Sequence, residues 1–149
     1  MNAARKALFT LIIVASGEFS TQVTASAAEP KSSEKSEWLL ITSSSDDTRA
    51  YSAKIGSFEI TTTKGGISVA MILGQIENKA NNSVTYKKWY VSTSDCESGI
   101  GKLVALKVNG DYDVEADYVS KGNSIASHIA DAICIVYRSD SEEKQKKGI

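Results

Sequence analysis

The chain is 149 residues long, with 17 Lys and Arg against 18 Asp and Glu, a formal charge of −1, two cysteines and one histidine. So even a balance argues against nucleic acid as the main partner, which calls for a basic stripe. A single histidine rules out a metal cluster built from histidines.

Residues 1–27 read as a cleaved secretory signal peptide. "MNAARK" supplies Arg5 and Lys6, and "ALFTLIIVASG" (Ala7–Gly17) is an apolar run too short to span a bilayer as a helix. Ala25-Ser26-Ala27 fits the small-x-small pattern of a cut site. No cysteine lies at the cut. The expectation is therefore an exported protein, periplasmic or extracellular at the cell surface, with no lipid anchor and no stable membrane span after cleavage. The mature chain would hold 149 − 27 = 122 residues, one domain by length. Loss of Arg5, Lys6 and Glu18 leaves a charge of 15 − 17 = −2.

Residues 28–37, "AEPKSSEKSE", are polar and aperiodic and hold the only proline, as a flexible lead-in does. Short strand-like runs follow between turn signals: "WLLITS" (Trp38–Ser43), "RAYSAKI" (Arg49–Ile55) and "FEITTTK" (Phe58–Lys64). "ISVAMILGQIE" (Ile67–Glu77) is apolar on both alternating faces, the pattern of a central strand covered on both sides. "VTYKKWYVSTSDC" (Val84–Cys96) is the next strand. Its apolar phase slips at Lys87-Lys88, which predicts a β-bulge there.

"KLVALKV" and "DYDVEADY" form a predicted hairpin. Val104, Leu106 and Val108 share one face of the first run. Asp111, Asp113, Glu115 and Asp117 alternate with Tyr112, Val114, Ala116 and Tyr118 in the second. A three-residue loop, Asn109–Asp111, sets Val108 against Tyr112 and Leu106 against Val114, and puts Lys107 opposite Asp113. A two-residue loop would set core residues against acids, because a one-residue slip flips every side chain. The acids are spaced roughly 7 Å apart along the strand, too far for a calcium site, and read as a solvated edge face.

Gly122 ends this strand, and Asn123 or Ser124 can cap a helix. On that helix Ile125, Ile129, Ala132, Ile133 and Val136 form one stripe, and Ala126, Ala130 and Cys134 a second, of small residues. The folded part is expected over 38–137, with residues 138–149, "RSDSEEKQKKGI", a polar disordered tail.

In an oxidising compartment two cysteines of one small domain most often pair. Closing the loop from Cys96 to Cys134 would stabilise by about 4 kcal/mol. The competing reading is a catalytic thiol with His128 as its base, although no third group is placed to orient the imidazole. No phosphate loop, metal-ligand spacing or catalytic constellation stands out, and no cofactor is called for.

The order "NSVTYKKWYVSTSDC", a strand hairpin, then "SIASHIADAIC" and a trailing aromatic, Tyr137, resembles the bacterial surface-adhesin protein E family. Trp38, Cys96, Cys134 and Tyr137 carry the likeness, over Trp38 to Tyr137. The resemblance implies an α+β domain: an antiparallel sheet of about six strands with a C-terminal helix packed on it, clamped by a Cys96–Cys134 disulfide. It also implies a Gram-negative source, no enzymatic activity, and binding to host extracellular proteins or to an envelope protein. An alternative is a periplasmic binding or inhibitor module acting on an envelope enzyme or a small ligand. Tyr86, Lys87, Lys88, Trp89 and Tyr90 combine cations with aromatics, as protein interfaces do, and form the candidate contact segment.

Overall fold

The structure, a computed structural model, describes residues 37–148. The predicted signal peptide and all of the lead-in except Glu37 lie outside the described residues. The elements are β1 (Trp38–Ser43), β2 (Arg49–Lys54), β3 (Glu59–Thr62), β4 (Ser68–Asn78), β5 (Ser83–Ser92), α1 (Thr93–Ser98), β6 (Ile100–Leu106), β7 (Tyr112–Val119) and α2 (Ile125–Lys146). Every strand pair is antiparallel. The order is β1-β2-β4-β5-β6-β7, and β3 also pairs with β4. β2 takes the Gly74–Asn78 part of β4 and β3 the Ser68–Met71 part. The expected antiparallel sheet with a C-terminal helix and one disulfide is thus present, with seven strands rather than six.

α2 packs on one face of the sheet. Its buried residues are Ser127, Ile129, Ala130, Ile133 and Cys134, with Ile125, Ala126 and Tyr137 partly buried. The isoleucine stripe and the small stripe therefore merge into one broad face. The small residues let the helix approach closely, and the isoleucines fill the space between strands. Val136 is 42% exposed, on the rim rather than in the core.

Opposite α2 lie Ala70 and Ile72 of β4, Trp89 and Val91 of β5, Leu103 and Ala105 of β6, and Tyr118 of β7. The Trp89 ring rests on Gly74, its diagonal neighbour across the β4–β5 ladder. A methyl group at Gly74 would collide with the six-membered ring of the indole. Glycine in mid-strand, ordinarily unfavourable, is here the seat of the largest core side chain.

Local chemistry sets the helix ends. Ser92 caps α1 by accepting the Asp95 N–H, and Gly99 closes it in the left-handed region at φ 77°. Ser124 caps α2, accepting the Ser127 N–H at 3.0 Å. Cys96 lies in this one-turn helix, not at a strand end, and bonds Cys134 across a sequence separation of 38. Arg138 donates to the Cys96 carbonyl at 2.9 Å, and Tyr137 donates to Glu97 at 3.0 Å. His128 meets the Thr42 hydroxyl at 2.8 Å, which ties α2 to β1.

Four sequence expectations are corrected. β5 carries no bulge: its register with β4 is unbroken from Val69↔Ser92 to Asn78↔Ser83. Its apolar phase slips because Val84 and Tyr86 face away from α2, whereas Trp89 and Val91 face it. The bulges lie instead at Ile41 in β1 and Asp113 in β7.

The β6–β7 hairpin turns through Val108–Gly110, closed by the Lys107 N–H on the Asp111 carbonyl at 2.8 Å. Asn109 holds this turn by accepting the Asp111 N–H, and Gly110 takes φ 98°. Leu106 pairs with Tyr112, and after the bulge Ala105 pairs with Val114. Apolar residues meet, as expected, but the three-residue loop lies one residue earlier than expected and an inserted Asp113 restores the phase. Leu103 and Ala105, not Val104 and Leu106, face the helix.

β4 is central, but among the described residues a helix layer covers one of its faces only. Finally, residues 138–146 are not a disordered tail. They continue α2, supported by i,i+4 pairs from Asp140 to Lys144 and Glu143 to Lys147.

Replacing both cysteines with serine should lower stability by about 2–4 kcal/mol, measured by denaturant unfolding. A second outcome concerns Tyr118, 2% exposed, whose hydroxyl lies 3.8 Å from Cys134 Sγ. Burial first, then the carboxylates of Asp95 and Asp131, push its phenol up to about 12. An unfolded tyrosine titrates near about 10. The folded chain thus keeps a proton that the unfolded chain loses between these values, and stability falls as pH rises through that window. Tyr118→Phe should flatten the fall in unfolding midpoint above about pH 10. Tyr90 and Tyr137, both raised mainly by burial, retain part of the slope.

Candidate interaction surface

The sheet face opposite α2 is built from the other parity of each strand. β4 gives Val69, Met71 and Leu73, and β5 gives Tyr90 opposite Met71, Lys88 opposite Leu73, and Tyr86 opposite Gln75. β6 adds Val104 and Leu106, opposite Tyr90 and Lys88. β7 adds Tyr112, opposite Leu106. At the far side Trp38 of β1 stacks on Tyr86, ring centroids 5.6 Å apart. The centre is apolar: Val104 is 8% exposed although, among the described residues, no helix lies over this face. The periphery is open, with Leu40 and Tyr112 each 60% exposed and Tyr86 46%.

Charges rim this apolar centre. Lys102 Nζ bridges Glu115 at 2.7 Å and Asp117 at 3.4 Å across the β6–β7 ladder. Its own pKa is raised, chiefly by the Glu115 hydrogen bond. Burial, then the nearby Glu115 carboxylate, raises the Tyr90 phenol. A depression of about 520 Å³ opens at the α1 end, between Ile67, Val69, Tyr90, Asp95, Lys102 and Val104.

The five candidate contact residues are split between the two faces. Tyr86, Lys88 and Tyr90 lie together on the open face. Trp89 is 3% exposed in the core. Lys87 points to the α2 side, where its ammonium bonds Asp113 at 2.9 Å with both side chains mostly sheltered. That pair sits at the mouth of an apolar cleft of about 280 Å³ walled by Tyr51, Trp89, Leu103, Val114, Ile125 and Ile129.

Sequence reasoning read β4 as covered on both faces and set Val104 and Leu106 toward the core; Val104 is buried and Met71, Leu73 and Leu106 are half-buried, but all four lie on the face away from α2. The available signal was β4 itself, apolar on both faces, where among the described residues one helix is long enough to cover a sheet.

The remaining chemical candidates have structural partners. Cys96 and Cys134 are joined, so no free thiol stands beside His128. The four acids of the hairpin diverge: Asp113 turns to Lys87, Glu115 and Asp117 hold Lys102, and Asp111 lies in the turn. Among the described residues no three His, Cys, Asp or Glu side chains converge as metal ligands. No described helix is long and apolar enough to cross a membrane. Comparison of the chain with protein-family models, with characterised proteins and with solved structures finds no match.

The two faces of β5 should respond differently to truncation. Trp89→Ala should cost about 3–5 kcal/mol in denaturant unfolding, as removal of a buried aromatic does. Lys88→Ser should change stability by no more than about 0.5 kcal/mol.

Proposed function

We propose that this chain is an exported, non-enzymatic interaction domain that binds a protein through the open face of its sheet. One observation carries the reading. β4 is apolar on both faces, α2 covers one, and the other continues through Tyr90, Val104 and Leu106 as an apolar patch rimmed by charge. Apolar patches of this kind on soluble domains mark sites of association. An apolar centre within a polar rim is the anatomy of a protein interface.

The resemblance to the surface-adhesin protein E family points to the same class and adds the expected partner, a host extracellular protein met at the bacterial surface. The disulfide, the antiparallel sheet and the C-terminal helix agree with that resemblance. They are also common to many exported domains, so the face carries the proposal and the family only orients it.

A second reading is a periplasmic module for an envelope protein or a small ligand. The apolar clefts on either side of α2 favour it. One is the cleft below Lys87 and Asp113, and the other, of about 240 Å³, lies between Leu39, Ile55, Phe58, Ala132 and Val136.

Protease shaving of intact cells, followed by fractionation, separates the two readings. Loss of the protein from whole cells supports the adhesin role. Protection, with release in the periplasmic fraction, overturns it in favour of the envelope module. For the face itself, Lys88→Glu combined with Tyr90→Ala should abolish partner binding while the unfolding midpoint stays close to wild type. Retained binding in that variant would rule out the face as the contact surface.

A further inference from the structure

The last strand of the sheet has an outer edge that the chain uses at one end only. At that end Val119 donates its N–H to Ser127 Oγ at 3.2 Å, and its carbonyl accepts from the Gly122 N–H at 2.9 Å. Both bonds point away from β6. In a strand the N–H and C=O of one residue point to the same side, and residues two apart share that side. Asp117 and Glu115 therefore present their backbone donors and acceptors outward as well. Among the described residues β7 pairs with β6 alone, so these four groups have no strand partner.

The side chains along this edge are strongly patterned. Val114 is 55% exposed on the α2 side, beside Ala116 and the Ile125 wall of the cleft. Glu115 and Asp117 lie on the opposite side, and the Asp117 side chain is 88% exposed. Lys102 neutralises one charge of that pair and leaves the other.

We propose that the outer edge of β7 accepts an extended segment of a partner protein in which Lys or Arg alternates with apolar residues. The segment adds antiparallel to β7 and bonds the open backbone groups of Glu115 and Asp117. Its cations stand across from the two carboxylates, and its apolar side chains fall beside Val114 and Ala116, extending the wall of the cleft. Opposite charges directly across a ladder stabilise it and like charges destabilise it.

That parity also decides against a second copy of this chain as the occupant. Two β7 strands joined with matching faces put acid opposite acid. Joined with opposite faces, they put acid opposite Val114 or Ala116. Neither register is favourable, whereas a basic, alternating strand satisfies both rows. The other strand edges offer less: β1 is broken by its bulge at Ile41, and β3 has four residues.

The proposal rests on the reading of this domain as a protein binder, and its test is independent of the open face. The probe is a fluorescein-labelled peptide of alternating Lys and Val, titrated into the purified domain and followed by anisotropy. Saturable binding is expected, with roughly tenfold or greater weakening when Glu replaces Lys in the peptide. Asp117→Pro removes an outward N–H without touching the β6 ladder, and edge strands tolerate proline at such positions. It should weaken the Lys peptide further than Asp117→Asn, which loses the charge alone. The peptide titration reads the edge, and loss of partner binding in Lys88→Glu with Tyr90→Ala reads the face, so failure of the face and failure of the edge give different results.

No saturable binding overturns the proposal. So does equal binding of a peptide with the same composition grouped as a Lys block and a Val block. Equal affinity in Asp117→Pro and Asp117→Asn overturns it too, because the backbone is then not used. A dimer of the domain that dissociates in Asp117→Pro would assign the edge to a second copy and also overturn it.

Discussion

One helix has to organise a seven-stranded sheet, and the seating of Trp89 on Gly74 beneath α2 makes this possible. The indole fills the middle of the sheet because β4 leaves it the space of a missing side chain. α2 then comes down over it with alternating rows of small and branched residues. Ile133 and Ala130, both fully buried, belong to the same core cluster as Trp89. Burying each such isoleucine contributes on the order of 1.5–3 kcal/mol, but apolar burial is non-directional and does not fix where along its axis a helix sits. The Cys96–Cys134 bond supplies that restraint. It joins α1, itself locked by the Ser92 and Gly99 caps, to the middle of α2. Arg138 and Tyr137 repeat the tie one turn later. The core and the clamp are thus two halves of one device.

Among the described residues, the same economy leaves the second sheet face without a helix layer. A helix covers one face. A strand such as β4, apolar on both, must then either expose its second row or shelter it sideways. This domain does some of each. Val69 and Val104 are buried, while Leu40, Tyr86 and Tyr112 stay open. The outcome is a patch with a dry centre and a wet, charged edge. Such a patch differs from scattered surface hydrophobics, which are ordinary on any protein. Its members come from β1, β4, β5, β6 and β7, and register alone brings them together.

Much of the fold was legible because hydrophobic period is a local property. The apolar run in "WLLITS" before a turn signal bounds β1 to the residue, and Ser124 before an isoleucine stripe marks the start of α2. Two cysteines in one small domain, read with an expected oxidising compartment, were enough to expect a clamp. What escaped depends on tertiary demand. In β5 the apolar phase passes from one face to the other where the strand runs under the helix. A bulge produces the same sequence pattern, and only the partner strands distinguish the two. At Asp113 the turn chemistry of Asn109-Gly110 and the packing of Val114 conflict by one residue, and an inserted acid reconciles them. The "RSDSEEKQK" stretch looks like a solvated tail by composition, yet it inherits a helix already nucleated upstream and needs only i,i+4 pairs to continue it. The open face was hidden for a different reason. An apolar residue awaiting a partner and one already buried are the same letter.

The face and the edge of β7 are not separate surfaces. Glu115 and Asp117 belong to both: their side chains border the open face beside Lys102 and Tyr90, and their backbones form the free edge. A strand added to β7 would widen the open face by one strand and carry its cations onto the acidic rim. A partner with a folded surface and a basic extended arm would then meet a single continuous site, with the arm fixing register and the surface covering the apolar centre. The bulge at Asp113 would set the limit of such pairing. Beyond it the ladder shifts by one residue, so an incoming strand in register with Glu115 and Asp117 loses its partner at Tyr112. Edge bulges commonly restrain promiscuous pairing. Here the bulge leaves a short, charge-coded window, long enough to be read and too short to template an extended sheet.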